Sequence, residues 1–276
     1  MKFRTYHQVE GEDASRLAEQ VGAQRQRVQA RLRGIGQVIA IMSGKGGVGK
    51  SYVTALLALG LARRLTGGVG VLDADLKGPT AARLLGATGP VHLDAEGVRP
   101  ALGRDGIKVF SMDLLLAEGE PLRWSEPGHE RFVWRGVLET GALREFLADV
   151  VWGPLDLLLV DLPPGAERLE DLAELVPELT GALAVTIPSE ESRRSVERAM
   201  RSAQHAKVKL LGVIENMSGY ACAECGHTGP LFQGNAGPAL AEKFSVPLLA
   251  RVPFHPAVSP LAELATLTDA VAGVLP

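Results

Sequence analysis

"MSGKGGVGKSY", residues 42–52, decides how the rest of this 276-residue chain is read. Its fixed positions, Gly44-x-x-x-x-Gly49-Lys50-Ser51, satisfy the phosphate-binding pattern G-x-x-x-x-G-K-[ST]. The residue types follow from the task. Glycines let successive backbone N–H groups turn toward phosphate oxygens with no Cβ in the way. A helix opening behind the loop adds its dipole and its unpaired donors. The expected cradle for ATP is therefore Gly44, Lys45, Gly46, Gly47, Val48, Gly49, Lys50 and Ser51. In such a loop Lys50 holds the β- and γ-phosphates and the Ser51 hydroxyl ligates Mg2+.

Outward from the loop, short apolar runs alternate with helical patterns. The runs at 38–42, 69–72, 107–111, 155–160, 182–187, 210–214 and 248–252 are continuous and rich in Val, Ile and Leu. Strands covered on both faces of a parallel sheet read this way. Helical periodicity separates most of them, at 51–65, 139–150, 169–175, 190–206 and 236–244. This rhythm predicts an α/β fold, a doubly wound, mostly parallel sheet of the P-loop NTPase type. Segments 86–106 and 117–135 read as excursions from the sheet. Residues 1–36 form an N-terminal extension and 37–276 the ATPase domain. Within the extension, 13–33 reads as an amphipathic helix with Leu17, Val21, Val28 and Leu32 on one stripe. Its other face carries Arg16, Arg25, Arg27, Arg31 and Arg33, and docking on the main domain with that face solvated is expected.

Two acidic positions accompany the loop. "LLLVDLPPG" ends an apolar strand at Asp161, a carboxylate placed to hold the magnesium shell through water. "GVLDADLKGPT" puts Asp73 and Asp75 at the end of the second strand, where a carboxylate can orient the attacking water. Asp75 is the expected one. Lys45, Lys50, Asp75 and Asp161 make the expected catalytic set.

Composition narrows the partners. The net charge of −3 gives no global argument for nucleic acid or an anionic membrane. The opening residues show no apolar core of a secretory signal. A run such as 53–62 falls short of the ~20 residues a bilayer requires. Reduced thiols in the cytoplasm are expected. The basic residues of 190–209 are interspersed with Glu190, Glu191 and Glu197, which favours an ion-paired, solvated face.

"YACAECGH", residues 220–227, holds the chain's only two cysteines. Cys222-x-x-Cys225 offers two thiolates from one turn, while tetrahedral zinc or a cubane cluster usually needs four ligands. Three readings stay open: buried structural thiols, a zinc knuckle with His227 as third ligand, or a site completed by a second copy. A two-fold axis beside the turn gives four thiolates from the same surface patch.

These stretches together resemble the Mrp/ApbC group of iron–sulfur cluster carrier ATPases, a branch of the deviant Walker A (SIMIBI) class that includes MinD, ParA and the nitrogenase iron protein. The resemblance covers about residues 37–253. It rests on SGKGGVGKS (43–51), LDADLKGPT (72–80), VWRG (133–136), VVWGPLDLLLVDLPPG (150–165), GVIENMSGYACAECG (212–226) and RVPFHP (251–256). The block joining ENMS to C-x-x-C discriminates, because MinD- and ParA-like relatives lack it. The resemblance implies that Lys45 reaches the phosphates of a partner subunit and that Asn216 reads the adenine. It also places Tyr52 and Pro253 at the nucleotide pocket. Cys222 and Cys225 would bind a 4Fe–4S cluster bridging a homodimer, passed from a cluster donor to apo-proteins with slow ATP hydrolysis. No nucleic acid or membrane partner is implied. A ParA- or MinD-like partitioning ATPase with zinc at the cysteines is the alternative. An electron-transferring reductase is disfavoured, because no cysteine lies near 163–170. The chain departs from the group in three respects: PPG is followed by Ala166-Glu167-Arg168, where T-G-D is usual; Tyr52 replaces the common Thr after the loop serine; and the basic helix 13–33 stands where many relatives carry an extra module.

Overall fold

The computed structural model describes residues 17–89, 91–115, 141–222, 224–225, 227–254 and 261–276. One nine-stranded sheet organises them, in the order β10-β9-β8-β1-β7-β2-β6-β5, with β11 also paired to β9. The central strands are β1 (Ile35–Met42), β2 (Val69–Asp73), β6 (Lys108–Ser111), β7 (Leu155–Asp161), β8 (Gly181–Thr186), β9 (Leu210–Ala221) and β11 (Leu248–Phe254). All of their mutual pairings are parallel. Only the short edges β5 (Ala101–Leu102) and β10 (Thr228–Gly229) run antiparallel to their neighbours. The small hairpin β3–β4 (His92–Asp94, Gly97–Arg99) and β5 fill the excursion expected at 86–106. The one at 117–135 lies outside the described residues, as does VWRG.

The apolar runs have the physical cause inferred for them. In β1, Val38, Ala40 and Met42 enter one core while Ile39 and Ile41 enter the other. Both faces of the strand are therefore dry, and no polar alternation can appear. The first core is closed by α1 (Leu17–Leu32), α4 (described residues 141–149), α5 (Arg168–Leu175), α6 (Glu190–His205) and α7 (Ala236–Phe244). The second is closed by α2 (Lys50–Ala62), α3 (Ala81–Leu85) and α8 (Leu261–Ala272). α1 joins the first core through fully buried Val28, and Arg31 donates to the carbonyls of Ala148 and Glu96. Arg25, Arg27 and Arg33 are exposed.

Two elements depart from the expected pattern. The sixth apolar run was expected to end at 214, yet β9 continues to Ala221. Its outer half carries no continuous apolar run, because buried Glu215 and Asn216 interrupt it and only its end, paired with β10, is exposed at Tyr220. α8 has no counterpart among the expected helices, although Leu264, Leu267 and Val271 repeat at helical spacing and are buried. Among the described residues, no helix is long and apolar enough to cross a membrane.

Candidate functional site

The loop between β1 and α2 is shaped by close backbone approaches. Gly49 caps α2 with φ 76°, in the left-handed region that favours glycine. A Cβ there would also lie 2.2 Å from Asn216 Nδ2. A Cβ on Gly44 would lie 2.0 Å from the Ser195 backbone of α6, so side chains are excluded at both positions. The loop is tied to its surroundings at each end. Gly165 N donates to Ser43 O at 3.1 Å, and Asn216 Nδ2 donates to Val48 O at 2.9 Å.

Behind the loop lies a buried charged cluster. Lys50 Nζ is 2.5 Å from Asp161 Oδ1, with the two side chains 6% and 0% exposed. Thr54 Oγ1 lies 3.1 Å from both Lys50 O and Asp161 Oδ1. Asp161 Oδ2 is buried without a hydrogen-bond partner. An orphaned carboxylate oxygen at this depth is costly unless a cation or water satisfies it, so the residues fit a magnesium shell. Ser51, half-buried at the start of α2, is the adjacent hydroxyl.

Asp73 adjoins this cluster. The parallel register sets it beside Asp161. Its Oδ2 accepts from Thr80 N, Ala81 N and Ser111 Oγ, and its Oδ1 from Asp75 N. Burial, then the nearby Asp161 charge, pushes its carboxyl up to about 6, against the pull of those amides and Lys50. Asp75 sits two residues farther out, half-buried, and accepts from Lys77 N.

The remaining expected residues fall around the same sheet edge. Lys45 is half-buried, its carbonyl accepting from Ser43 Oγ. Tyr52 is half-buried against the α2-side core. Val252 pairs with Asn216 in the β11–β9 register, which sets Pro253 one residue beyond it. Asn216 follows the apolar run 210–214 by two residues. It lies inside β9 and is buried, because the strand runs on to Ala221.

That continuation carries the cysteines. β9 and β10 pair Ala221 with Thr228 and Tyr220 with Gly229, and the C-x-x-C turn closes between them. Cys222 N donates to His227 O at 3.0 Å. Both thiols are free, with Cys222 half-buried and Cys225 exposed. Amide N–H groups of Cys225 and Glu224, with the Cys225 thiol, hold the Cys222 thiol below its ordinary pKa. Among the described residues, no three metal-binding side chains converge. The turn therefore presents a two-thiol edge, with Tyr220 and Phe254 stacked beside it at 6.4 Å and both partly exposed.

A family model described as the NUBPL iron-transfer P-loop NTPase (ParA) matches residues 34–270. The chain belongs to that family. An iron–sulfur cluster carrier protein of Saccharolobus solfataricus is 38% identical over 249 residues, covering 90% of this chain and 81% of its own. A cytosolic Fe–S cluster assembly factor Nubp1 homolog of Drosophila pseudoobscura is 38% identical, over 84% of this chain and 75% of its own. Among solved structures, a nucleotide-binding protein of Archaeoglobus fulgidus in complex with ADP is 37% identical with a TM-score of 0.69. It covers 90% of this chain, which covers 92% of it. As an ATP-binding P-loop NTPase of the iron-transfer family, the chain has the doubly wound sheet that its sequence implied.

For this iron-transfer NTPase the sequence missed Thr54 and Ser111. Thr54 stands one helical turn after Lys50, a signal that i, i+4 geometry could have supplied. Ser111 had none, since only strand order brings it to Asp73. Arg193, Arg194, Arg201 and Lys243 pair with Glu190 or Glu197, so the basic run of α6 is an ion-paired face.

Proposed function

We propose that this iron-transfer NTPase is an ATP-dependent, homodimeric carrier that holds one 4Fe–4S cluster between two Cys222–Cys225 turns and passes it to apo-proteins in the cytoplasm. The observation that carries this reading is the exposed, two-thiol turn with an acidified Cys222 in a chain of the iron-transfer family. Two thiolates leave a cubane half-ligated, and a two-fold axis through the turn supplies the rest. Exposed Tyr220, Leu231, Phe232 and Phe254 give apolar surface near the turn for a partner to cover.

In the nucleotide site, Lys50 exchanges Asp161 for the β- and γ-phosphates, while the loop amides of residues 44–51 hold the phosphate oxygens. Ser51 and Asp161 would hold Mg2+, which when bound neutralises charge on those phosphates. Asn216 and Pro253 border the base, Tyr52 the outer pocket, and Lys45 the partner's phosphates. Asp75 orients the attacking water, and slow hydrolysis resets the dimer contacts.

Anaerobic reconstitution with iron and sulfide tests the proposal. Wild type should develop the broad visible absorption of a cluster and restore an apo iron–sulfur protein, and Cys222→Ala should do neither. Equal spectra for the two proteins, or zinc in place of iron, would sink it.

A further inference from the structure

Glu215 is fully buried in β9 and directly precedes Asn216. Successive side chains of a strand point to opposite faces, so Asn216 turns to Val48 of the phosphate loop and Glu215 to α7. Glu215 Oε2 accepts from Gly237 N at 2.7 Å, and its Oε1 accepts from Arg251 Nε at 2.8 Å. Burying a carboxylate is costly, and a hydrophobic residue would fill the same volume more cheaply. The two bonds therefore point to a task of geometry.

That task follows from what lies between the bonded residues. Residues 216–236 run out along β9, carry Cys222 and Cys225, return through β10 and re-enter the fold at the start of α7. The bond from Gly237 N to Glu215 closes this arm at its base. The helix gains from it as well. Its cap residue Asn235 makes no side-chain cap bond, and first-turn amides lack partners within a helix, so the carboxylate supplies one from outside. The fit is close. A Cβ on Gly237 would lie 2.7 Å from Glu215 Oε2, and one on Gly234 would lie 2.0 Å from the carbonyl oxygen of Pro188. Arg251, the register partner of Glu215 in β11, holds the second carboxylate oxygen.

We propose that Glu215 is the positioning residue of the cysteine arm, its carboxylate clamping both ends of residues 216–236 so that the two thiols stand in a fixed place for a cluster. This deepens the carrier reading above and rests on it. Glu215 acts on the thiols only through the backbone of β9 and α7.

Hydrogen–deuterium exchange of the apo-protein, chelator-driven iron loss after anaerobic reconstitution, and ADP calorimetry test it in wild type, Glu215→Ala, Glu215→Gln and Gly237→Ala. Glu215→Ala should speed both exchange at residues 216–236 and iron loss about 10-fold or more, the effect of losing a bond to a charged group. ADP affinity should stay within about twofold, because Asn216 faces the other way. Glu215→Gln keeps a carbonyl acceptor for Gly237 N and should stay within about threefold of wild type. Gly237→Ala should loosen the arm although alanine favours a helix over glycine, because its Cβ displaces the carboxylate. Unchanged exchange at 216–236, faster exchange with iron loss unaltered, or Glu215→Gln as loose as Glu215→Ala would overturn the assignment. Exchange rising evenly across the sheet with ADP affinity lost would also overturn it, marking a general packing role. A wild type that takes up no iron would defeat the carrier reading itself, while the exchange data would still decide the clamp.

Discussion

The two halves of β9 are built by opposite means. At Asn216 the strand is buried and bonded to Val48 of the phosphate loop, beside a cluster whose ion pair closes within one chain. Five residues past Met217 the same strand has delivered Cys222 to an exposed turn, where backbone amides are the thiol's partners. The join is irregular: Met217 has φ 52°, and the β11 register shifts between Val252 and Phe254. A non-glycine residue in the left-handed region is uncommon in a strand. The difference lies in how far each group of side chains is gathered within one chain. The phosphate loop has its lysine and carboxylates brought together by burial, whereas the cysteine turn presents two thiols and an apolar margin.

Independent perturbation is the sharpest way to break this comparison. Cys222→Ala should abolish iron retention after anaerobic reconstitution while leaving ADP affinity within about twofold by calorimetry. Loss of both functions together would mean that the turn supports the nucleotide site structurally. Next in size is Lys50→Ala. It removes the phosphate contact and strands Asp161 as a buried charge, at about 3–5 kcal/mol of stability in chemical denaturation. ADP binding should fall at least about 100-fold, with reconstituted iron content retained. Sensitivity of iron content to this change would contradict the division.

Smaller changes sharpen the join. Gly49→Ala places a Cβ against Asn216 Nδ2 and in a left-handed backbone, so it should cost about 1–3 kcal/mol in thermal unfolding. It should also weaken ADP, because the Asn216–Val48 bond must open. An effect of similar size comes from pH. Unfolded Asp73 titrates near 3.8 and folded Asp73 near 6, so the folded chain holds more protons between those values. Its contribution to stability is therefore present at low pH and lost as pH rises through about 6, on the order of 3 kcal/mol. Melting profiles of Asp73→Asn should lack that component. An unchanged profile would remove Asp73 from the buried acidic pair.

Much of this architecture was legible in the chain because burial on both faces leaves a continuous apolar signature. Val38–Ala40–Met42 and Ile39–Ile41 serve opposite cores yet read as one run. The phosphate loop was legible because a close backbone at 44, and a left-handed φ with a close Asn216 side chain at 49, favour glycine. The outer half of β9 was not, since polar Glu215 and Asn216 occupy its buried positions and break the apolar run in ENMSGYA. The environments of Asp73 and Asp75 had the same root. Asp73 ends β2 and Asp75 lies two residues beyond it, and only the register to β7 shows Asp73 beside Asp161. Arg168 stood out as a departure in sequence, but its place across a cleft from Lys77 depended on the fold.

The central claim is that two cysteine turns complete one site. Native mass with iron and zinc content, after anaerobic reconstitution, tests it most directly. The account predicts a dimer with about two irons per chain, four per dimer, and an iron-free Cys222→Ala. A monomer that retains the cluster, or a dimer with one zinc and no iron, would contradict it.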